Sequence, residues 1–243
     1  MPQKGVGRQS MNLLRLLLAI ALWPGIYSTL LAYAKILQGA FSSPSFPWIG
    51  MGVFGAGFGV ASGAFFFLPR PRGFYVLGHE LTHAMAVWMS GGKVHSLHVA
   101  DKGGKVVADR VSPWISLAPY ILPFYPLLIG IVWLASNHIW PDLTRFGLPF
   151  LGIWGAIWGY HYAFTLSLMP TRQPDFLIYG RIFSITLILM GNLMLIGILA
   201  WAALRPVPAS RAAAMVASEW AWSYMELVHW LSGLLLRYLP HPA

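Results

Sequence analysis

Gly78-His79-Glu80-Leu81-Thr82-His83-Ala84 is an H-E-x-x-H motif set inside an apolar run. A helix here puts His79 and His83 one turn apart on the same face, where two imidazoles can grip one zinc ion. Glu80 then lies beside the metal. A carboxylate in that place can accept a proton from a water whose pKa the ion lowers toward neutrality, giving a nucleophile able to attack a carbonyl. That is metallopeptidase chemistry.

Chance is a poor explanation of the motif. With 8 His and 3 Glu in 243 residues, a random ordering yields on the order of 0.003 such patterns. Ionisable side chains in hydrocarbon surroundings are also costly and mark function when they occur.

Composition describes those surroundings. The chain is 57% hydrophobic and 9% charged, with a mean hydropathy of +0.63, which places it among integral, multi-pass membrane proteins. The absence of Cys excludes disulfides and thiolate ligands, so a metal must be held by His and carboxylates. A net charge of +9 invites a nucleic-acid reading. The basic residues, however, sit singly at the ends of apolar runs, as topology determinants and lipid head-group contacts do. No nucleic-acid partner is expected; the bilayer is.

Outward from the motif, the helix is predicted from about Gly73 to Ser90 and closed by Gly91-Gly92. At 1.5 Å per residue, His79 and His83 lie roughly 10 and 16 Å beyond Arg72, within bilayer depth. Before it, Lys4 and Arg8 lead into a first span, Leu13 to Leu37, too long for a signal-peptide core and read as retained, with a cytoplasmic N-terminus. A second span, Trp48 to Leu68, is glycine-rich and is expected to pack closely on the motif helix. Pro69-Arg70-Pro71-Arg72 breaks the chain on the cytoplasmic side.

After the motif, Lys93 to Arg110 reads as a β-hairpin around a Gly103-Gly104 turn. Strand alternation sends its His95 and His98 to opposite faces, so exposed histidines are the plainer reading than ligands. Such a hairpin permits strand addition by an extended substrate. Pro113 to Ser136 is apolar but interrupted by Pro119, Pro123 and Pro126, a density that kinks or breaks a helix. Asn137 to Gly147 is a polar loop. Leu148 to Met169 is a further span whose His161 reads more readily as a hydrogen-bonded interior residue than as a ligand. Gly180 to Leu204 is another, and Ser210 to Leu239 a tryptophan-bearing helix suited to a membrane interface.

A zinc site needs a third protein ligand and an open position. The remaining acids are Asp101, Asp109, Asp142, Asp175, Glu219 and Glu226. Only Asp175 lies in a proline-broken segment between two apolar spans, where an unwound turn can point a carboxylate inward.

With these residues in hand, the chain resembles the site-2 protease family of intramembrane zinc metallopeptidases, in its bacterial branch. The family carries H-E-x-x-H in one transmembrane helix and N-x-x-P-x-x-x-L-D-G in a later one. Here Ser167-Leu168-Met169-Pro170-Thr171-Arg172-Gln173-Pro174-Asp175-Phe176 matches the second pattern at Pro170 and Asp175, and departs from it at Ser167, Pro174 and Phe176. The resemblance covers roughly residues 73 to 200. It implies Zn2+ held by His79, His83 and Asp175, Glu80 as the catalytic base, a membrane-protein or peptide substrate, and residence in the bacterial cytoplasmic membrane. Two other readings compete. A non-catalytic relative would bind membrane proteins without cleaving them. Glu226-x-x-His229 has the spacing of di-iron carboxylate bundles, and a metal-dependent oxidoreductase would use it with the motif.

The expected fold is therefore an all-α polytopic membrane protein with about five to six transmembrane or re-entrant helices, a small β-hairpin after the motif helix, and a C-terminal amphipathic helix. Residues 1–72 hold the N-terminal spans, 73–204 the metallopeptidase core and 205–243 the interfacial helix. If every apolar run crossed fully, the start of the motif helix and Asp175 would face opposite sides. Pro113 to Ser136 is the candidate for a re-entrant segment, which brings Arg70, Arg72 and Arg172 to the cytoplasmic face.

Overall fold

The computed structural model describes residues 13–69, 72–100 and 103–238. Lys4, Arg8, Arg70, Pro71, Asp101, Lys102 and Leu239 lie outside the described residues, and with them the expectations for a basic leader and the arginine pair before the motif. The described elements are α1 (Leu13–Phe41), α2 (Trp48–Phe67), α3 (Arg72–Met89), β1 (Val94–Ala100), β2 (Gly103–Ala108), α4 (Pro113–Ile121), α5 (Phe124–Ile139), a 3-10 turn (Pro141–Phe146), α6 (Gly147–Leu168), α7 (Pro174–Leu177), α8 (Arg181–Leu204) and α9 (Ala209–Tyr238). The architecture is all-α with one antiparallel hairpin, β1 against β2.

Three of these helices, α1, α2 and α8, are long and apolar enough to cross a membrane, and the pair α4 and α5, bent by 66°, makes a fourth if taken as one span. The expected number was larger because α3 and α6 were counted too. In α3, Arg72, His79, Glu80, Thr82 and His83 dilute the apolar content, so it falls short of the hydropathy of α1, α2 and α8.

The chain divides into two compact units. The first, Pro47–Ile188, contains α2 to α7 and the opening turns of α8. Its seam is α2 against α6, not α2 against the motif helix as its glycines alone suggest. The reason is that α6 brings glycines of its own. A Cβ on Gly155 would lie 2.1 Å from the Phe54 carbonyl oxygen, one on Gly159 2.2 Å from that of Phe58, and one on Gly57 2.0 Å from that of Gly152. Backbone meets backbone along the seam, and no side chain fits between. Only the end of α2 reaches toward the motif helix, where Phe65 joins Tyr75, Ala163 and Phe164 in a buried cluster.

The hairpin forms where expected, but its glycines do not make the turn. Ala100 pairs with Gly103 and Val99 with Gly104, so both glycines belong to β2, and the register shifts between Val94 and Ser96. The polar run after α5 is helical as far as Ile139 and then takes up the 3-10 turn.

The second unit comprises residues 13–46 and 189–238. Here α9 lies antiparallel along α1. The Tyr224 hydroxyl donates to the Ala21 carbonyl, Ser28 to Ser223, the Trp220 indole to Thr29, and Lys35 pairs with Glu219. Trp222, Met225, Val228 and Leu235 point outward, all more than half exposed. This helix buries polar groups and shows apolar ones, the reverse of a helix packed in water.

If the glycine seam sets the spacing of α2 and α6, Gly155→Ala or Gly159→Ala must push the helices apart, at a cost of about 1–3 kcal/mol. Gly52→Ala, with nothing within 4 Å of the added carbon, should be neutral or slightly stabilising. Thermal unfolding of the purified variants measures the contrast.

Candidate metal centre

The motif helix presents its functional residues because neighbouring elements press close to it. Gly78 lies under the ring of Tyr125, 2.6 Å from where its Cβ would stand. Tyr125 donates to the Phe74 carbonyl at 2.8 Å and stacks on the Phe74 ring at 3.9 Å, so α5 holds α3 one residue ahead of His79. Gly91, at φ +70°, ends the helix in the left-handed conformation that glycine adopts freely.

Asp175 reaches the motif from almost a hundred residues downstream. It stands in the first turn of α7, a four-residue helix begun by Pro174. The adjacent Phe176 is 1% exposed and packs with Leu117, Tyr120 and Ile188. Ser184 donates to the Phe176 carbonyl at 3.2 Å. Burying Phe176 on one side of this short helix aims Asp175 to the other.

There the three side chains meet. The Nε2 atoms of His79 and His83 lie 3.5 and 3.6 Å from Asp175 Oδ2, and the candidate ligand atoms of all three residues fall within 4.8 Å of one another. Ligands about 2.05 Å from a tetrahedral ion stand about 3.3 Å apart. The two imidazole–carboxylate separations match that edge to within a few tenths of an ångström. His79, His83 and Asp175 can hold a metal ion, and among the described residues no other group of three such side chains converges.

The orientation of His83 supports the same conclusion. Its Nδ1 lies 2.8 Å from the carbonyl oxygen of Ile115, which can only accept, so Nδ1 carries the hydrogen. As a neutral imidazole, His83 then turns its Nε2 electron pair toward the carboxylate, the arrangement of a ligand whose second nitrogen is held by a carbonyl. The availability of that carbonyl has a cause in the sequence. In a helix it would accept from the N–H of residue 119, but residue 119 is proline. Pro119 leaves the Ile115 oxygen free for His83.

Tyr120, the next residue, donates from its hydroxyl to Asp175 Oδ2 at 2.9 Å and sets its ring edge-on to His79 with centroids 5.0 Å apart. It is fully buried. Neither Tyr120 nor the role of Pro119 was found in the sequence, where the prolines signalled only a break. Pro119 stands four residues after Ile115 and beside Tyr120 in the sequence, but nothing local says which carbonyl a distant imidazole will find.

Glu80, 6% exposed, lies under the hairpin. A Cβ on Gly104 would stand 2.4 Å from its Cγ and 2.7 Å from its Oε1. Gly104 is therefore the position at which β2 can rest directly on the carboxylate. His95 and His98 are exposed on β1. Glu219 pairs with Lys35, and Glu226 and His229 join no metal-binding group among the described residues. Ser167 donates to its own helix, to the Phe164 carbonyl.

No protein-family model, curated protein or solved structure matches the chain. Its chemistry is read from these side chains themselves.

Pro119→Ala returns a backbone N–H to compete for the Ile115 oxygen. Metal affinity, measured by competition with a chromophoric chelator, should fall about tenfold, while unfolding shows α4 no less stable. Gly104→Ala should leave that affinity unchanged yet lift the hairpin, and amide exchange across β1 and β2 should quicken.

Proposed function

We propose that the chain is an intramembrane zinc metallopeptidase of the site-2 protease type, residing in a bacterial cytoplasmic membrane and hydrolysing a peptide bond of a membrane protein. Zn2+ would be held by His79, His83 and Asp175, with Glu80 as general base. One observation carries this reading: Asp175 converges on the H-E-x-x-H pair at ligand spacing, which leaves Glu80 one residue from the ligands and a position for water.

The membrane setting is supported by apolar surface. Only 6% of the most apolar stretch of α2 is buried, and Ile49, Val60 and Phe67 face outward. Such a face in water would expose far more contiguous apolar area than soluble monomers show. The bend between α4 and α5 suits a segment that enters and leaves on one side, which keeps Arg72 and Arg172 on a common, cytoplasmic face.

Zinc bound by these residues supplies a Lewis acid for an attacking water and for the scissile carbonyl. Glu80 takes the proton of that water at its carboxylate and delivers it to the departing amine nitrogen. Tyr120 holds the Asp175 oxygen, and the Ile115 carbonyl holds His83 in the tautomer that leaves Nε2 open. The hairpin at Gly104 keeps bulk water from Glu80.

Elemental analysis of purified protein should give one zinc per chain for wild type and Glu80→Gln, and little for Asp175→Ala. Cleavage of a co-expressed membrane-protein reporter should fall at least a hundredfold in Glu80→Gln. Reporter cleavage no greater with wild type than with Glu80→Gln or with no added chain would make it a non-catalytic, membrane-protein-binding relative. Two equivalents of iron would make it an oxidoreductase.

A further inference from the structure

Two of the three metal-facing side chains have a protein partner that holds them. His83 Nδ1 has the Ile115 carbonyl, and Asp175 has the Tyr120 hydroxyl. His79 is different. Its Nδ1 is buried and has no hydrogen-bond partner among the described residues. Ligating imidazoles almost always give their second nitrogen to an acceptor, because that bond fixes the ring and its tautomer.

A second imidazole nearby is incomplete in the complementary way. His161 on α6 is 8% exposed, and its Nε2 is likewise buried without a partner among the described residues. Both rings lean on Tyr75, with centroids 5.8 Å away for His79 and 6.1 Å for His161. Tyr75 itself satisfies neither. Its hydroxyl is engaged with Thr165 at 3.3 Å, and its face is stacked on Phe164 at 3.6 Å. The residue that reads from sequence as hydrogen-bonded in the interior thus keeps one nitrogen open beside a ligand that keeps one open too.

We propose that His161 is the outer partner of His79, joined to it by one buried water that accepts from Nδ1–H of His79 and donates to Nε2 of His161. Buried waters occupy such sites, where two or more polar atoms have no other partner. His161 is then a positioning residue. It touches neither substrate nor ion, and it fixes the ring of His79 with Nε2 toward Asp175. This assignment rests on the metal-site reading above and extends it to α6, the helix that α2 clamps through the glycine seam.

The test is a pair of variants of equal length and different chemistry, His161→Gln and His161→Met, in the full chain purified in detergent and titrated with Co2+ after chelation. The amide of Gln can occupy the place of Nε2 and hydrogen-bond, whereas the thioether of Met fills the space and accepts only weakly. Met should weaken Co2+ binding 10- to 100-fold and alter its visible absorption, and Gln should stay within about threefold of wild type. Wild-type affinity in the Met variant overturns the proposal, as does equal weakening in both, which would mean that His161 only fills space. A wild-type chain that binds no Co2+ overturns the metal-site reading as well, so the two failures are told apart.

Discussion

An imidazole ring held only by packing can rotate, and a rotated ring presents the wrong nitrogen. The constraint on which this centre depends is therefore the bond from His83 to the carbonyl of Ile115. That carbonyl would ordinarily be consumed inside its own helix, and a proline four residues later keeps it available. A feature that weakens α4 as a helix strengthens it as a scaffold. Local strain and lost backbone bonds gather at functional sites for this reason.

Around this bond the first unit sorts its elements by what each can tolerate. The pair α2 and α6 has backbone pressed to backbone, a contact that allows little adjustment. Beside the regular motif helix, the candidate metal site draws on shorter and more irregular elements. Asp175 stands on a four-residue helix anchored by a single buried phenylalanine, and Glu80 lies under a strand of the only hairpin described. Rigid helices set the distances, and short segments bring in the side chains. In the second unit α9 lays polar residues against α1 and leaves tryptophan and aliphatic side chains outside.

What could be read from sequence follows the range of the interactions involved. The helices, the hairpin and the proline break were legible because each depends on neighbours a few residues away, and the ranges of α2, α3 and α8 fall within a residue or two of expectation. His79 and His83 could be paired because a helix turn places them together. Asp175 was reached by elimination among few acids, which a chain richer in carboxylates would not have allowed. The partner of α2 was misjudged because glycine spacing on one helix does not name the helix that receives it; Gly155 and Gly159 on α6 do. Tyr120, Gly104 and the Ile115 carbonyl were illegible. Their roles arise only when segments distant in sequence are folded against one another, and no periodicity encodes that.

The distance along the chain between His83 and Asp175 has one more consequence. An ion gripped by both would act as a cross-link closing a loop of roughly 90 residues, and the chain entropy removed from the unfolded ensemble by such a closure grows with loop length. The hairpin, the kinked α4–α5 pair and the whole of α6 lie inside that loop. A cation at this point would tie the first unit together as a topological staple, so that its departure would be felt far along the chain from the atoms that held it.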